Sequence, residues 1–213
     1  QPIIDADTGQ VLAFEALARW SPDGVRWLPP ATFINLAETT GRISELTELV
    51  LERALHECSA FDPDTLLTIN LSARDILRDD AAKWIGDKVV NSGVEPSRLV
   101  LEITETAMLR DYRRAAKNLA ALREAGFRIA LDDFGAGQSS LSHVHHLPLD
   151  HIKIDRSFAQ NLVTSKQSRT VVSTIIALAR QLGLGCTIEG IETAEQQAVA
   201  RSLGLRIMQG YLF

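Results

Sequence analysis

Short apolar runs alternate with longer amphipathic ones along almost the whole chain of 213 residues, and that alternation predicts an α/β fold with a parallel sheet and helices outside it. Seven strand candidates, after an opening QPIID that itself reads as a strand, favour a closed (β/α) barrel. A doubly wound open sheet is the structural alternative, but the glycine fingerprint that often follows its first strand is absent. In addition, each strand candidate carries a polar residue near its C-terminal end, where a barrel gathers its chemistry.

In order, the strand candidates are VLAFEALA, LLTINLS, LVLEITE, FRIALDD, HIKID, CTIEGIE and RIMQGYLF. Between the first two, residues 31–60 read as two helices. Residues 73–93, 111–126, 168–183 and 193–204 carry helical patterns after the later strands, and several of these end on glycine, a helix stop signal. Thr193 with Gln196 three residues on reads as a capping box.

Composition narrows the function. The chain is 46% hydrophobic and 23% charged, which is ordinary for a globular domain, and 1–213 reads as one. A formal net charge of −5 argues against a nucleic-acid polymer as partner, because such binding needs a basic face. The two cysteines, Cys58 and Cys186, form no CxxC and read as packing residues in a reducing compartment. No apolar run is long enough to span a membrane, and no signal peptide is visible. A strand at the very start predicts that Gln1 is not a natural terminus, which leaves room for an upstream module.

The polar residues at the strand ends form the constellation that matters. Side chains two apart on a strand share a face, so Asn70, Glu102, Asp132, Lys153, Glu189 and Gln209 are predicted to point into one bowl, with Glu15 on the strand before them. A carboxylate inside the apolar AFEALARW needs a partner or a cation. Several carboxylates against one lysine leave negative charge that calls for cations, and oxygen donors without thiolates select hard metals such as Mg²⁺ or Mn²⁺. Two such ions are a recurrent device for phosphodiester hydrolysis. Taken singly, each acid is more often a cap or a salt bridge, Gly135 and Gly137 mark an ordinary turn, and Lys153 alone would also fit a Schiff-base aldolase. An aldolase leaves the other acids unexplained. His143, His145 and His146 read as a solvated stretch, and Trp20 as packing.

FEALARW resembles the signature of EAL domains, the cyclic di-GMP phosphodiesterases. The match continues with QPIID, FINLAETTGRI, INLSARDI, LEITE, LDDFGAGQSSL, IKIDRSF, IEGIET and QGYLF. The resemblance implies a TIM-like (β/α)8 barrel whose first strand is antiparallel to the others, with the family's N-terminal helix and last few residues missing from this chain. It implies hydrolysis of cyclic di-GMP to linear pGpG with two Mg²⁺ or Mn²⁺ ions. By the same resemblance Glu15, Asn70, Glu102, Asp132, Asp133 and Glu189 are metal ligands. Lys153 helps to activate the nucleophilic water, and Gln209 contacts the water and metal network. Arg19 meets a substrate phosphate, Asp155 and Glu192 lie near the second metal and the guanine or ribose edge, and Glu105 holds the loop after Asp133. A homodimer, a bacterial source, an upstream sensor or GGDEF module, and a cytoplasmic domain whose full protein is free or tethered to the inner membrane are further implications.

Four positions depart from the family pattern. Ala136 and Gln138 stand where threonine and an aromatic are usual, and loss of the aromatic removes about 1.5–3 kcal/mol of packing. Asn35 replaces a frequent proline. Ile188 replaces a frequent alanine and is expected to narrow the pocket beside Glu189. A receptor that binds cyclic di-GMP without hydrolysing it is the alternative, with Gln138 as its first suspect.

Overall fold

A computed structural model describes residues 1–104, 111–136 and 146–213. Eight strands close into a barrel in sequence order: β1 (Pro2–Asp5), β2 (Val11–Ala16), β3 (Leu66–Leu71), β4 (Leu99–Thr104), β5 (Arg128–Phe134), β6 (His151–Ile154), β7 (Gly185–Ile188) and β8 (Ile207–Gln209). β2 to β8 run parallel to one another, and β1 pairs antiparallel with both β2 and β8. The predicted barrel and its reversed first strand are both present. A tight turn suffices from β1 to β2 because antiparallel neighbours need no crossover helix.

Among the described residues the helices are α1 (Pro30–Thr39), α2 (Ile43–Cys58), α3 (Ala73–Ile76), α4 (Ala81–Ser92), α5 (Tyr112–Glu124), α6 (Arg156–Gln160), α7 (Lys166–Leu182) and α8 (Ala194–Ser202). Local chemistry sets their ends. The Ser165 side chain caps the start of α7, and Gly183 closes it in the left-handed conformation at φ 70°. Thr193 and Gln196 form the expected reciprocal box at the start of α8. The helix-facing residues of the strands, among them Ile69, Leu101, Ile103, Ile129, Leu131, Ile152, Ile154 and Ile188, are almost wholly buried. They pack on apolar stripes such as Val172, Ile175, Ile176 and Ala179 of α7.

Alternation then decides the site. With these residues turned outward to the helices, their neighbours Glu102, Lys153 and Glu189 must face the barrel interior. Ile188 therefore lies on the opposite side of its strand from Glu189 and fills the outer core; it does not narrow the pocket. Asn35 is exposed on α1. Cys58 and Cys186 are both free thiols.

Gly210 is a point of close approach where β8 ends. A Cβ there would fall 1.9 Å from the Ile191 carbonyl oxygen and 2.4 Å from its nitrogen, and backbone cannot swing aside. Ile191 N donates to Gln209 O at 3.0 Å, so the two segments are also stitched together. Gly210→Ala is expected to destabilise the fold by about 3 kcal/mol or more. Gly86→Ala, in open space within α4, is expected to stabilise it by about 0.5–1 kcal/mol. Urea midpoints of the two variants moving in opposite directions would bear this out.

Candidate active site

The parallel strands deliver their ends to one mouth, and Lys153 stands at its centre. Its side chain is 2% exposed, and four carboxylates surround its ammonium: Glu189 at 2.6 Å, Glu102 at 2.8 Å, Asp132 at 3.4 Å and Glu15 at 3.6 Å. Glu15 is held on both oxygens, by Asn70 Nδ2 at 2.8 Å and by Gln209 Nε2 at 2.5 Å. Thus seven residues from seven different strands, predicted to converge, do converge.

The electrostatics are unbalanced. Burial alone would lower the Lys153 pKa, but Glu102, Asp132, Glu15 and Glu189 together hold it well above the usual lysine value. The carboxylates share that single charge unequally. Burial pushes Glu102 up to about 8, against the pull of Lys153 and with the repulsion of Glu15 and Asp132. Burial likewise raises Glu189 to about 7, with Asp132 adding to it. For Glu15 burial acts upward too, but Lys153 and the amides of Gln209 and Asn70 outweigh it and lower the pKa.

Asp133 enters by a different route. Successive strand residues point to opposite faces, so Asp132 and Asp133 should not share a site. The β5–β6 register slips between Leu131 and Phe134, and Asp133 adopts φ 53°. That irregularity turns both carboxyls to the mouth, where oxygens of Asp132, Asp133 and Glu189 lie within 4.8 Å of one another. Partial burial, then the charges of Asp132 and Asp155, raise Asp133 to about 6. Two like charges at that spacing repel by about 3–4 kcal/mol at an effective dielectric constant of 20.

The donor set suits a hard divalent ion: carboxylate oxygens and one amide, with no thiolate or imidazole among the residues that converge. Moreover, Asp132 Oδ1 is buried with no hydrogen bond, its cationic neighbour being Lys153 Nζ at 3.4 Å, so it keeps acceptor capacity that a divalent ion could use.

Other candidates sit at the rim. Asp155 is buried and caps α6, accepting from Ser157 N at 3.0 Å. Arg19 is exposed, and its Nη1 donates to Ala18 O at 3.0 Å. Glu192 is exposed, and its backbone N–H is taken by Gln196 Oε1 at 2.7 Å. Glu105, Gln138, His143 and His145 lie outside the described residues. Trp20 is less of a packing residue than its sequence context implies: it is 45% exposed and meets Phe33 edge-on at 5.9 Å. A depression of about 390 Å³ lined by Leu12, Arg180, Leu184 and Ile207 opens at the other end of the barrel and gathers none of the site residues.

Beneath the mouth lies a polar layer that sequence reasoning missed. Thr68, His151 and Thr187 each stand two places before Asn70, Lys153 and Glu189, and His151 Nε2 meets Thr187 Oγ1 at 2.7 Å. Period-two counting back from the acids would have found them.

A family model described as EAL domain matches residues 1–213. The chain is 39% identical over 211 residues to an "uncharacterized signaling protein" of Caulobacter vibrioides, covering 99% of this chain and 26% of that one. It spans about a quarter to a third of the length of the curated relatives it matches most strongly. Among solved structures, it superposes on the PaMucR phosphodiesterase in complex with c-di-GMP with a TM-score of 0.93 at 35% identity, covering 100% of this chain and 87% of that one. It superposes on a manganese and cyclic di-GMP complex of Klebsiella pneumoniae BlrP1 with a TM-score of 0.89 at 30% identity, covering 100% and 53%.

Glu102 and Glu189 have folded pKa values raised above the unfolded 4.5. Between 4.5 and about 8 the folded state binds more protons than the unfolded one, so their contribution to stability is full below 4.5 and is lost as pH rises through about 7 and about 8. In EDTA, the Tm is expected to fall over that window. The fall should shrink in Glu102→Gln, and added Mn²⁺ should raise Tm more at the alkaline end. Thermal melts across pH test this directly.

Proposed function

The chain belongs to the EAL domain family, and from that premise we propose that residues 1–213 form one phosphodiesterase domain that hydrolyses cyclic di-GMP to linear pGpG. The single observation that supports this most is the ring of four carboxylates around Lys153, with Asp133 turned in beside it by a strained backbone. Acids gathered this closely are accounted for by divalent cations, and paired ions are a recurrent device for phosphodiester hydrolysis.

Glu15, Asn70, Glu102, Asp132, Asp133 and Glu189 would hold two Mg²⁺ or Mn²⁺ ions. When bound, such ions neutralise charge on the phosphodiester and acidify water. The chain's own residues do the rest. Asn70 and Gln209 fix both oxygens of Glu15, so that ligand meets its ion without reorganising. Lys153 keeps its proton across the neutral range, so it orients the attacking water by donation and does not act as a base. Arg19, at the open rim, is free to make a bidentate contact to a phosphate oxygen pair. Asp155 and Glu192 flank the rim where the guanosine would sit. Water forms a bond to phosphorus, the bond to the 3′ oxygen breaks, and that oxygen leaves with a proton as the 3′-hydroxyl of pGpG.

In the whole protein we place the domain in the bacterial cytoplasm, as a homodimer downstream of a sensor or GGDEF module. Among the described residues, no helix is long and apolar enough to cross a membrane.

Purified protein with cyclic di-GMP is expected to give pGpG with Mg²⁺ or Mn²⁺ and none with EDTA, read by chromatography. Glu15→Ala and Lys153→Ala should each reduce turnover by about 10³-fold or more. Nucleotide bound with no product under any metal would make the domain a receptor. Arg19→Ala should raise KM about tenfold, a loss of about 1.4 kcal/mol, with a smaller change in kcat; a kcat loss at constant KM would remove Arg19 from phosphate binding.

A further inference from the structure

Asp75 lies outside the mouth, yet it is 0% exposed. It makes no salt bridge among the described residues. Its Oδ2 faces three donors: Ser72 Oγ at 2.6 Å, Ser72 N at 3.1 Å and Thr47 Oγ1 at 2.8 Å, whose single proton has the longer alternative of Ile43 O at 3.1 Å. Its Oδ1 is buried with no hydrogen bond at all. Burying a carboxyl this incompletely satisfied is costly. Its immediate product, the reciprocal box with Ser72, caps α3, a helix of four residues. One turn of helix contributes too little to explain the arrangement.

The explanation lies in what the box holds on its other side. Ser72 follows directly on Leu71, the last residue of β3, and Asn70 precedes that. Asn70 reaches across to Glu15 Oε1 at 2.8 Å, so the direction in which β3 ends decides whether that bond forms. Thr47 makes the fixing rigid. It stands on the buried face of the 16-residue α2 with Ile43, Leu51, Ala54 and Cys58. Its bond to Asp75 spans 28 residues, so the turn is anchored to a packed helix and not merely to itself. The far end of α3 is secured separately by Asn118, whose Nδ2 donates to Ile76 O at 2.6 Å and to Arg78 O at 2.8 Å.

We propose that Asp75 is a positioning residue: tied to α2 through Thr47 and to the turn through Ser72, it sets the end of β3 from which Asn70 holds Glu15, and so tunes the affinity of the acidic mouth for a divalent cation. The cation clause rests on the function proposed above; the positioning of Asn70 does not.

The test is run on the intact chain with two readouts. The first is the Asn70 side-chain amide pair in ¹⁵N-resolved NMR of metal-free protein, assigned by its loss in Asn70→Asp. The second is equilibrium binding of Mn²⁺ alone. Asp75→Ala and Thr47→Val are expected to shift the Asn70 amide towards the position of a solvated amide. They should also weaken Mn²⁺ binding about 10–100-fold, as loss of outer partners of metal ligands does. Asn118→Ala removes buried bonds to the same helix from its other end. It should lower Tm while leaving the Asn70 amide and Mn²⁺ affinity as in the unmodified chain. If Asp75→Ala does not fold, Thr47→Val decides. An unchanged Asn70 amide in the folded variants overturns the proposal, and so does an equal change in Asn118→Ala. If the unmodified protein bound no Mn²⁺, the metal reading would fail, while the Asn70 amide would still decide the positioning.

Discussion

The site depends on one buried ammonium. Lys153 is enclosed by carboxylates from β2, β4, β5 and the end of β7, which the closed barrel brings to one point. Breaking a buried pair by removing one partner usually costs more than forming it gained. Here removal of the lysine would leave four acids facing one another. Its position in turn requires the barrel to be closed, because Glu15 and Glu189 approach it from opposite sides of β1 and β8. The antiparallel β1 performs that closure with four residues and a tight turn.

Once the lysine is central, the rest of the mouth follows from strand geometry and one deliberate violation of it. Period two places Glu102 and Asn70 without further help. Asp133 gets there only because β5 breaks register and takes a positive φ, a conformation that costs a non-glycine residue of order 1 kcal/mol or more. Backbone strain held beside a cluster of acids is most simply understood as serving the site, since the same chain could have continued the strand at lower energy. The helix-facing side of the strands is packed mainly with Ile, Leu and Val.

How much of this can be read from residues alone divides along physical lines. Strand ends, the interior acids and the capping box at Thr193 are legible because they depend on periods of two and on local hydrogen bonding. Glu15 in an apolar run announces itself because a lone buried charge has no local explanation. The role of Ile188 is misread when its neighbour Glu189 is considered without the alternation that sends the two apart. Trp20 is misread because exposure is a tertiary property that a strand-end context does not fix. Likewise the bond from Thr47 to Asp75 joins residues 28 apart and leaves no periodic trace. Family resemblance supplies the reversed direction of β1, which the pattern of QPIID cannot.

The charge arithmetic of the mouth argues that cation binding and stability are coupled in this fold. Glu15, Glu102, Asp132 and Glu189 share a single ammonium, and Asp133 adds another acid at the rim. Without cations, burial first and neighbouring carboxylates second raise Glu102 to about 8 and Glu189 to about 7, so both hold protons into the neutral range. Ligands that bind only the folded state stabilise it in proportion to the logarithm of their concentration over Kd. A site that displaces protons to take up metal gains affinity as pH rises. The feature that lowers stability above neutrality is therefore the one that would favour a divalent cation there, and a well-packed neutral mouth would be more stable and unable to bind one.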